Sequence, residues 1–276
     1  MSIAIIGAGC AGLAAGQTLK TAGHCVELFE KSKGLGGRCA TRRREGLAFN
    51  HGAPMAHGLP DDIARHLTPH EVGHIAEPGM SALGRLLAEG LTVHRDTEIN
   101  AITSDMQHDF DAILLAVPVV QSTRLLGHHA AAFPALSTVR MAPQITAMLA
   151  FNAPITAPAA HPSLDKAIPQ DAHRTTWVIH GSAALSTTHL ENEKDTIAAA
   201  LTAAFRDAAS APEPSLAMGH KWRYARTATA LGQSHLWNPK QRIGLAGDWC
   251  MGPNVGDAVA SGRALGKQVA EALASA

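Results

Sequence analysis

Apolar and polar positions at the start of the chain alternate in a way that predicts three consecutive elements. Residues 2–6 (SIAII) form an apolar run rich in β-branched side chains, which is typical of a strand buried on both faces. After it, Leu13, Ala14 and Leu19 recur at helical spacing, and Gly23 ends that pattern. A second apolar strand then ends at Glu30. Strand, helix and strand in this order predict a βαβ unit.

The rest of the chain continues this alternation, less regularly in its middle. Further strands are predicted at 47–51, 91–94, 98–102, 112–117, 144–151, 175–181, 217–225 and 243–247. Helices are predicted at 80–89, from about 193 to 210 and at 256–274, and residues 60–75 form a polar helix or a loop. The composition of residues 119 to about 235 shifts to Ala, Pro, His and Thr, which indicates an inserted domain.

These elements predict an α/β fold with two domains. Residues 1–50, 76–120 and 240–276 form a Rossmann-like domain, and residues 51–75 and 121–239 form a smaller α+β domain inserted into it. Ligands of such a sheet bind at the carboxyl ends of its strands, so we expect the chemistry at that edge.

The turn between the first strand and the first helix carries a GxGxxG motif. Gly7 allows a tight turn, Gly9 lets a pyrophosphate approach the backbone, and Gly12 lets the helix pack closely on the strand. A pyrophosphate there meets free N–H groups and the positive end of the helix dipole. Glu30 follows Gly12 by 18 residues, where a carboxylate accepts hydrogen bonds from a ribose. The motif in this context predicts a dinucleotide site.

Two further segments are candidates for the same site. Gly37 and Arg38 lie in a loop dense in Gly and Arg, where a guanidinium binds two pyrophosphate oxygens. A solvated basic loop is the alternative, and we favour it for Arg42–Arg44. Gly247 and Asp248 end the last predicted strand, near the glycine turn.

Charge and cysteine content exclude several classes of protein. Lys plus Arg number 23 and Asp plus Glu number 23, which argues against nucleic-acid and anionic-membrane partners. The four cysteines have no CxxC or metal-ligand spacing, and the adjacent His128 and His129 are not metal spacing either, so we predict no metal. The first strand begins at about residue 2 and no apolar run reaches about 18 residues, so we expect a cytoplasmic protein.

These motifs, in this order, resemble renalase-like FAD-dependent oxidoreductases, relatives of the monoamine oxidases. The resemblance is carried by the glycine motif, the strand that ends at Glu30, KSKGLGGR at 31–38, FNHGAP at 49–54, EPGMSAL at 77–83, DAILLAVP at 111–118, HKWRYA at 220–225 and GLAGDWCMGPNVGDAVASGRALG at 244–266. It implies an FAD-binding domain of the glutathione reductase or amine oxidase type and a non-covalently bound FAD. Only residues from about 125 to 215 lie outside it.

The resemblance also assigns roles to individual residues. It places Glu30 at the adenosine ribose, Ile99 at the adenine, Asp248 at the ribityl chain, and the start of the last helix at the flavin ring, where a helix N-terminus stabilises negative charge. The full set of implied cofactor-binding residues is Gly7, Gly9, Cys10, Ala11, Gly12, Glu30, Lys31, Gly37, Arg38, Ile99, Gly247, Asp248, Val255 and Gly256.

The sequence departs from this family on the substrate side. Only about twenty residues separate HGAP from EPGM, Asn50 replaces an acidic residue, and aromatic residues are only 4% of the chain, with Tyr224 the only tyrosine. The usual aromatic cage cannot form, so the site is either open or completed by another chain.

Three residues remain as catalytic candidates. Trp222 matches a position near the flavin in the family, where it would stack on a planar substrate; filling the domain junction is the equally favoured alternative. His51 and His220 lie in motifs that reach the flavin and have an ordinary pKa suited to a general base, although most of the 16 histidines are expected to be structural. A covalent flavin link at Cys250 is disfavoured.

We therefore predict an FAD-dependent oxidase that transfers a hydride from a small molecule to flavin N5, with O2 as the final acceptor. By resemblance, the substrates are dihydropyridine nucleotide isomers or amines. The alternatives are an FAD-dependent desaturase or dehydrogenase that uses another electron carrier, and a flavin-binding subunit with little activity of its own. An NAD-dependent dehydrogenase is disfavoured, because it has no use for Gly37, Arg38 and Asp248 at these places.

Overall fold

The structure, a computed structural model, describes residues 1–275. Its strands are β1 (Ser2–Ile6), β2 (Cys25–Glu30), β3 (Arg42–Arg44), β4 (Leu47–Phe49), β5 (Thr68–His70), β6 (Gly73–Ile75), β7 (Thr92–Arg95), β8 (Ala112–Leu115), β9 (Arg140–Ala150), β10 (Leu164–Pro169), β11 (Thr176–Gly181), β12 (Leu216–Thr229), β13 (Leu236–Asn238) and β14 (Ile243–Leu245). Its α-helices are α1 (Cys10–Thr21), α2 (Asp61–Ala64), α3 (Ser81–Leu87), α4 (Ser104–Asp109), α5 (Val119–Leu126), α6 (Ala183–Thr188), α7 (Lys194–Ala209), α8 (Asp248–Met251) and α9 (Val255–Ala274).

The chain divides into two compact units. The first comprises Met1–Ala40, Met55–Met141 and the residues from Thr227 onward, and the second comprises Thr41–Pro54 and Ala142–Arg226. The second unit is therefore inserted into the first, as an α/β fold with an inserted smaller domain requires.

A six-stranded sheet with the order β13-β14-β8-β1-β2-β7 forms the centre of the first unit. Its strands are parallel except β13, which pairs antiparallel with β14. Central β1 is apolar on both faces because both faces are covered. Ala4 and Ile6 pack in a core that includes Leu126 of α5, while Ile5 faces α1 near Gly16.

A four-stranded sheet with the order β10-β11-β9-β12 forms the second unit. Alternate residues of β9 and β11 point to opposite faces. Leu149 and Ile179 pack in the core that contains Phe205 of α7, whereas Met148 and Val178 pack against Phe49 of β4. The sheet thus presents one apolar helix-covered face and a second face on which β4 lies.

Two sequence predictions differ from the structure. Residues 98–102 form no strand, because β7 ends at Arg95, Asp96 turns with φ +55°, and Thr97 N–H donates to the Glu30 carbonyl at 2.9 Å. Residues 60–75 form the short helix α2 and the hairpin β5–β6.

The predicted domain boundaries also differ from the compact units. Residues 55–75, 121–141 and 227–239 belong to the first unit, and residues 41–50 belong to the second. Residues 121–141 supply Leu125, Leu126 and Leu136 to the core of the parallel sheet. That core contact explains why they belong with the first unit and not with the inserted one.

Candidate functional site

The glycine turn between β1 and α1 is packed at two glycines and open at the third. Gly7 has φ +102°, and a Cβ there would lie 2.6 Å from the Ala116 carbonyl oxygen. A Cβ at Gly12 would lie 2.0 Å from the Gly7 carbonyl oxygen. At Gly9 a Cβ would meet nothing within 4 Å. The space above Gly9 therefore suits the close backbone approach that a pyrophosphate requires, and Cys10 and Ala11 begin the helix beside it.

Glu30 is anchored to this turn. The residue is 9% exposed, and its Oε2 accepts the Ala8 N–H at 2.9 Å. Oε1 accepts the N–H and the hydroxyl of Ser32, at 2.8 and 2.6 Å. A carboxylate offers about four lone-pair sites, so three are used within the chain and about one is left for a ribose hydroxyl.

The second glycine loop crosses the first. Gly36 N–H donates to the Ala8 carbonyl at 2.9 Å, and Gly36 forms a parallel β-bridge with Gly9. Gly37 has φ +57°, and its Cβ position lies 3.3 Å from the Gly9 Cα, so a side chain there is strained and crowded. Gly9 and Gly37 are thus neighbours, although 28 positions separate them in the sequence.

Arg38 and Asp248 form a bidentate ion pair. Arg38 donates to the two carboxylate oxygens of Asp248 at 2.9 and 2.5 Å, and the Thr227 hydroxyl donates to Oδ2 at 3.0 Å. Burial lowers the pKa of Arg38, but the charge and the hydrogen bonds of Asp248 outweigh it, so that pKa is raised overall. The sequence assigned these two residues to separate parts of a cofactor and missed their contact with each other.

Backbone N–H groups at the start of α9 donate hydrogen bonds to other groups of the chain. Gly256 N–H donates to the His57 carbonyl at 2.9 Å, and Asn254 and Asp257 form a reciprocal capping box. Preceding this helix, Gly247 N–H donates to the Ser261 hydroxyl at 3.0 Å. The sequence expected the backbone of Val255 and Gly256 at the flavin, and the amide hydrogen of Gly256 is already used within the chain.

The two other implied cofactor residues lie apart from these contacts. Lys31 is exposed directly after β2, and Ile99 is half-buried against the core of the parallel sheet. Ile99 lies in an irregular segment and not on a strand, for the reason given above. No group of three or more His, Cys, Asp or Glu within residues 1–275 is arranged to hold a metal ion.

In the second unit, the rings of the three catalytic candidates pack together, with His220 edge-to-face against the other two. The rings of His51 and His220 are 4.8 Å apart, and those of His220 and Trp222 are 4.4 Å apart. Trp222 Nε1 donates to the His51 carbonyl at 2.9 Å, which fixes the orientation of the indole. This trio lies at the end of β4 and on β12.

His220 is a weaker base than the sequence argument assumed. Burial lowers its pKa to about 3, and the positive charges of His51, Arg42 and Lys194 act in the same direction. His220 is therefore neutral at pH 7, and an imidazole of such low pKa is a poor general base.

His180 is a candidate that sequence reasoning missed. It lies on β11 opposite Thr146 of β9, and burial lowers its pKa to about 4. Among the described residues, His180 Nε2 and the Thr146 hydroxyl are buried without a hydrogen-bond partner. The alternation in TTWVIHG was the available signal, because it puts His180 on the face opposite Trp177 and Ile179.

Comparisons with known proteins agree with the first unit's geometry. Residues 5–68 match the family described as an NAD(P)-binding Rossmann-like domain. The 4,4'-diapophytoene desaturases (4,4'-diaponeurosporene-forming) of Staphylococcus haemolyticus and Staphylococcus aureus are 43% identical to this chain over 61 residues. That match covers 22% of this chain and 12% of each desaturase. No helix within residues 1–275 is long and apolar enough to span a membrane.

Solved structures match nearly the whole chain in fold. A proposed protoporphyrinogen oxidase from Exiguobacterium sp. 255-15 has a TM-score of 0.73 at 14% identity, covering 98% of both chains. A putrescine oxidase double mutant redesigned in cofactor binding has a TM-score of 0.71 at 14% identity, covering 99% of both chains. An oxidoreductase from Methanosarcina mazei has a TM-score of 0.68 at 15% identity, covering 96% of this chain and 99% of that one. The predicted fold class is thereby confirmed: the chain is an α/β protein with a parallel-sheet, Rossmann-like unit, of the fold that these oxidoreductases share.

Proposed function

We propose that this chain is an FAD-dependent oxidoreductase that oxidises a small molecule. The observation that carries the proposal is the meeting of the two glycine loops: Gly9 is open on its Cβ side, and Gly37 lies against it. Beside them, the Glu30 carboxylate can still accept a hydrogen bond, and the Arg38–Asp248 pair supplies one positive and one negative charge. A glycine turn that binds only NAD(P) does not need the second glycine loop at Gly37 or the Arg38–Asp248 ion pair.

The residues that would hold the cofactor belong to four chain segments of the first unit. Gly7, Gly9, Cys10, Ala11 and Gly12 would bind the pyrophosphate through backbone groups and the α1 dipole. Glu30 would bind the ribose, and Gly37 and Arg38 would bind the pyrophosphate from the other side. Asp248 would bind the ribityl chain while it holds Arg38. The chemistry that FAD supplies when bound is acceptance of a hydride.

The substrate would bind in the second unit at the aromatic trio. Trp222, held by its bond to the His51 carbonyl, offers a flat apolar surface to a planar molecule. Neutral His220 offers a hydrogen bond, and His180 is a further polar group on the same unit. A renalase-like oxidase acting on a dihydropyridine nucleotide isomer or an amine, with O2 as acceptor, fits this arrangement. Such an oxidase would be a cytoplasmic enzyme.

An FAD-dependent desaturase is the second candidate, and a specific observation favours it. The two staphylococcal desaturases are 43% identical to this chain over 61 residues, whereas the three solved structures cited are 14–15% identical over nearly the whole chain. A desaturase would pass its electrons to a carrier other than O2.

The first experiment identifies the cofactor. The purified chain is denatured, and the released nucleotide is identified by chromatography and mass spectrometry, beside a visible spectrum of the intact protein. We expect FAD and a flavin spectrum. Binding of NAD(P) with no affinity for added FAD would overturn the proposal.

The second experiment separates the two candidates. The FAD-loaded protein is reduced anaerobically with dihydropyridine nucleotides and with amines, and then exposed to oxygen. Bleaching by a dihydropyridine or an amine, followed by rapid recovery with release of hydrogen peroxide, is expected of the oxidase. Slow recovery in oxygen and fast recovery with an artificial quinone would favour the desaturase. No bleaching by any donor would favour a flavin-binding subunit.

A further inference from the structure

Two thiols meet where the glycine loops cross. Cys10 is the first residue of α1, directly after Gly9, and Cys39 directly follows Arg38. Their Sγ atoms are 3.7 Å apart, which is van der Waals contact. Nothing in the proposed redox chemistry uses either side chain, since Cys10 would bind a cofactor through its backbone. The proposed redox chemistry therefore does not explain the contact between the two thiols.

We propose that Cys10 and Cys39 are a peroxide-oxidisable pair that closes a disulfide between the two glycine loops. A disulfide needs an S–S distance of about 2.0 Å, so the sulfurs have to approach by about 1.7 Å. A rotation about χ1 moves a sulfur by at least that much without moving the backbone. The hydrogen bond from Gly36 N–H to the Ala8 carbonyl already holds the two loops together, so the two thiols lie side by side before oxidation.

Cys10 is the attacking thiol. It lies at a helix N-terminus, where the dipole favours a thiolate. The hydrogen bond from Cys39 lowers the pKa of Cys10, and the Arg38 guanidinium acts in the same direction. Cys10 is only 6% exposed, so a molecule as small as a peroxide has to enter through the open space at the adjacent Gly9 while no cofactor fills it. By contrast, burial raises the pKa of Cys250 to about 12, so that thiol is inert.

The reaction balances with hydrogen peroxide as the oxidant. The Cys10 thiolate attacks one peroxide oxygen, the O–O bond breaks, and the released hydroxide takes a proton to leave as water. The Cys39 sulfur then displaces hydroxide from the Cys10 sulfenic acid, losing its own proton, and a second water leaves. Two thiols and one hydrogen peroxide become one disulfide and two waters, and the sulfur pair loses two electrons.

The disulfide would keep the two loops from separating. If the loops hold FAD, as the proposed function states, release of the dinucleotide requires them to part, so the oxidised protein releases FAD more slowly. This consequence rests on the proposed function, whereas formation of the disulfide does not.

Peptide mapping of the full chain tests the disulfide. After treatment with hydrogen peroxide, free thiols are alkylated under denaturing conditions and the protein is digested with trypsin without reduction. The sequence separates the four cysteines into the peptides 1–20, 21–31, 39–42 and 243–263. We expect peptides 1–20 and 39–42 to be linked, the linkage to disappear with dithiothreitol, and Cys25 and Cys250 to be alkylated. A link to Cys25 or Cys250, or alkylation of both Cys10 and Cys39, would overturn the proposal.

Two variants test the order of attack. In Cys39→Ser, peroxide treatment should leave a Cys10 sulfenic acid that dimedone traps; in Cys10→Ser, Cys39 should stay a thiol. Cys25→Ser is the matched control, because Cys25 is exposed outside the loops, and its linkage should equal that of the wild type. Dimedone on Cys39 instead of Cys10 would reverse the assignment.

The release rate of FAD tests the consequence. The wild-type apo protein is either kept reduced or oxidised with hydrogen peroxide and is then loaded with FAD, and release is measured by competition with an excess of an apo-flavoprotein. We expect release to slow roughly 5-fold or more on oxidation, the lower end of typical coupling between two sites. Equal rates would reject a role in retaining FAD. A chain that binds no FAD but forms the disulfide would reject the proposed function and keep the thiol pair.

Discussion

Gly9 and Gly12 are three residues apart and have opposite surroundings, so the same substitution tests different properties at each. Gly9 has φ −75° and ψ 176°, which alanine adopts freely, and its Cβ would enter open space. A Cβ at Gly12 would lie 2.0 Å from backbone oxygen of Gly7. Packing therefore does not require a glycine at position 9, whereas it does require one at position 12.

The first prediction follows from that difference. Gly9→Ala should leave the free energy of unfolding within about 1 kcal/mol of wild type, or raise it, because alanine restricts the unfolded chain. It should weaken FAD binding roughly 10- to 100-fold, since the new methyl group fills the approach to the backbone at a cost of about 1–3 kcal/mol. Urea unfolding of the apo protein and calorimetric titration with FAD measure the two effects.

Gly34→Ala is the matched control for this variant. Its Cβ would also meet nothing within 4 Å, and it lies in the exposed part of the second loop. Both stability and FAD affinity should stay at wild-type values. Unchanged FAD affinity in Gly9→Ala would contradict the assignment of the open space to the pyrophosphate.

The second prediction concerns the Arg38–Asp248 pair. Asp248 is 4% exposed, so Arg38→Met leaves a buried carboxylate with the Thr227 hydroxyl bond but without its countercharge. We expect a loss of about 2–3 kcal/mol in the free energy of unfolding, below the full 3–5 kcal/mol of a buried pair because the Arg38 side chain is 30% exposed. Urea unfolding at pH 7 measures it.

A double variant shows whether the lost energy comes from the stranded charge. Arg38→Met with Asp248→Leu removes both charges and should recover much of the stability that Arg38→Met loses. Arg223→Met, which breaks the exposed Arg223–Glu191 pair, should leave the unfolding midpoint unchanged. A double variant less stable than Arg38→Met would mean that the two side chains act independently.

At the residue scale, the sequence predicted the local chemistry and missed partners that are distant in the chain. The GxGxxG spacing located Gly7, Gly9 and Gly12, because a strand, a tight turn and a helix are fixed by neighbouring residues. The pairing of Arg38 with Asp248 joins residues 210 positions apart. The low pKa of His220 comes from tertiary burial, which no local pattern reports.

At the scale of elements, α1 and α9 approach each other through small residues. A Cβ at Gly262 of α9 would lie 2.0 Å from the Ala11 carbonyl oxygen of α1, and one at Gly266 would lie 2.8 Å from the Thr18 Cβ. A helix normally gains about 1 kcal/mol from replacing glycine with alanine. At Gly262 the neighbouring atom belongs to the α1 backbone and cannot move aside. The clash therefore outweighs the gain in helix propensity, and the substitution is expected to lower the free energy of unfolding.

The third prediction tests this helix contact. Gly262→Ala should lower the free energy of unfolding by about 1–3 kcal/mol, because overpacking against the α1 backbone exceeds the gain in helix propensity. Urea unfolding of the apo protein, with Gly34→Ala beside it, gives the measurement. A more stable Gly262→Ala would mean that the two helices separate at little cost.

Long apolar or periodic elements were predictable, whereas short ones were not. The helix expected from about 193 to 210 is α7, Lys194–Ala209, and it ends at Ser210 with φ +48°. The strand expected at 98–102 is absent, because the left-handed turn at Asp96 takes the chain out of the sheet. The hairpin β5–β6 has three-residue strands without a clear alternation, so the sequence offered no signal for it.

For the whole molecule, the sequence predicted an insertion into a Rossmann-like domain but misplaced its boundaries. The prediction places residues 55–75 in the insertion, where residues 60–75 form a polar helix or a loop with several histidines. In the structure, the bond from Gly256 N–H to the His57 carbonyl and the Arg263–Asp62 ion pair tie them to α9 of the first unit. Both contacts join residues about 200 positions apart, and composition carries no information about them.

Acid stability is a property of the whole molecule that two buried histidines of the second unit dominate. Burial lowers the pKa of His180 to about 4 and that of His220 to about 3. Asp165 opposes the shift at His180, while Lys166 and Arg226 reinforce it. Both rings thus stay neutral in the folded chain well below pH 6.5, where unfolded histidine takes up a proton.

The fourth prediction is a loss of stability as the pH falls from about 6.5 toward 4. In this range the unfolded state binds more protons than the folded state, so the free energy of unfolding decreases by up to about 1.4 kcal/mol per pH unit for each histidine. His180→Gln removes one titrating group and should reduce that slope by up to about half, whereas His70→Gln, at an exposed position, should leave it unchanged. The measurement is the urea-unfolding free energy of the apo protein from pH 4.5 to pH 8. A wild-type stability that stays flat between pH 6.5 and 4.5 would mean that these histidines become protonated without unfolding, and that the second unit is open to water around them.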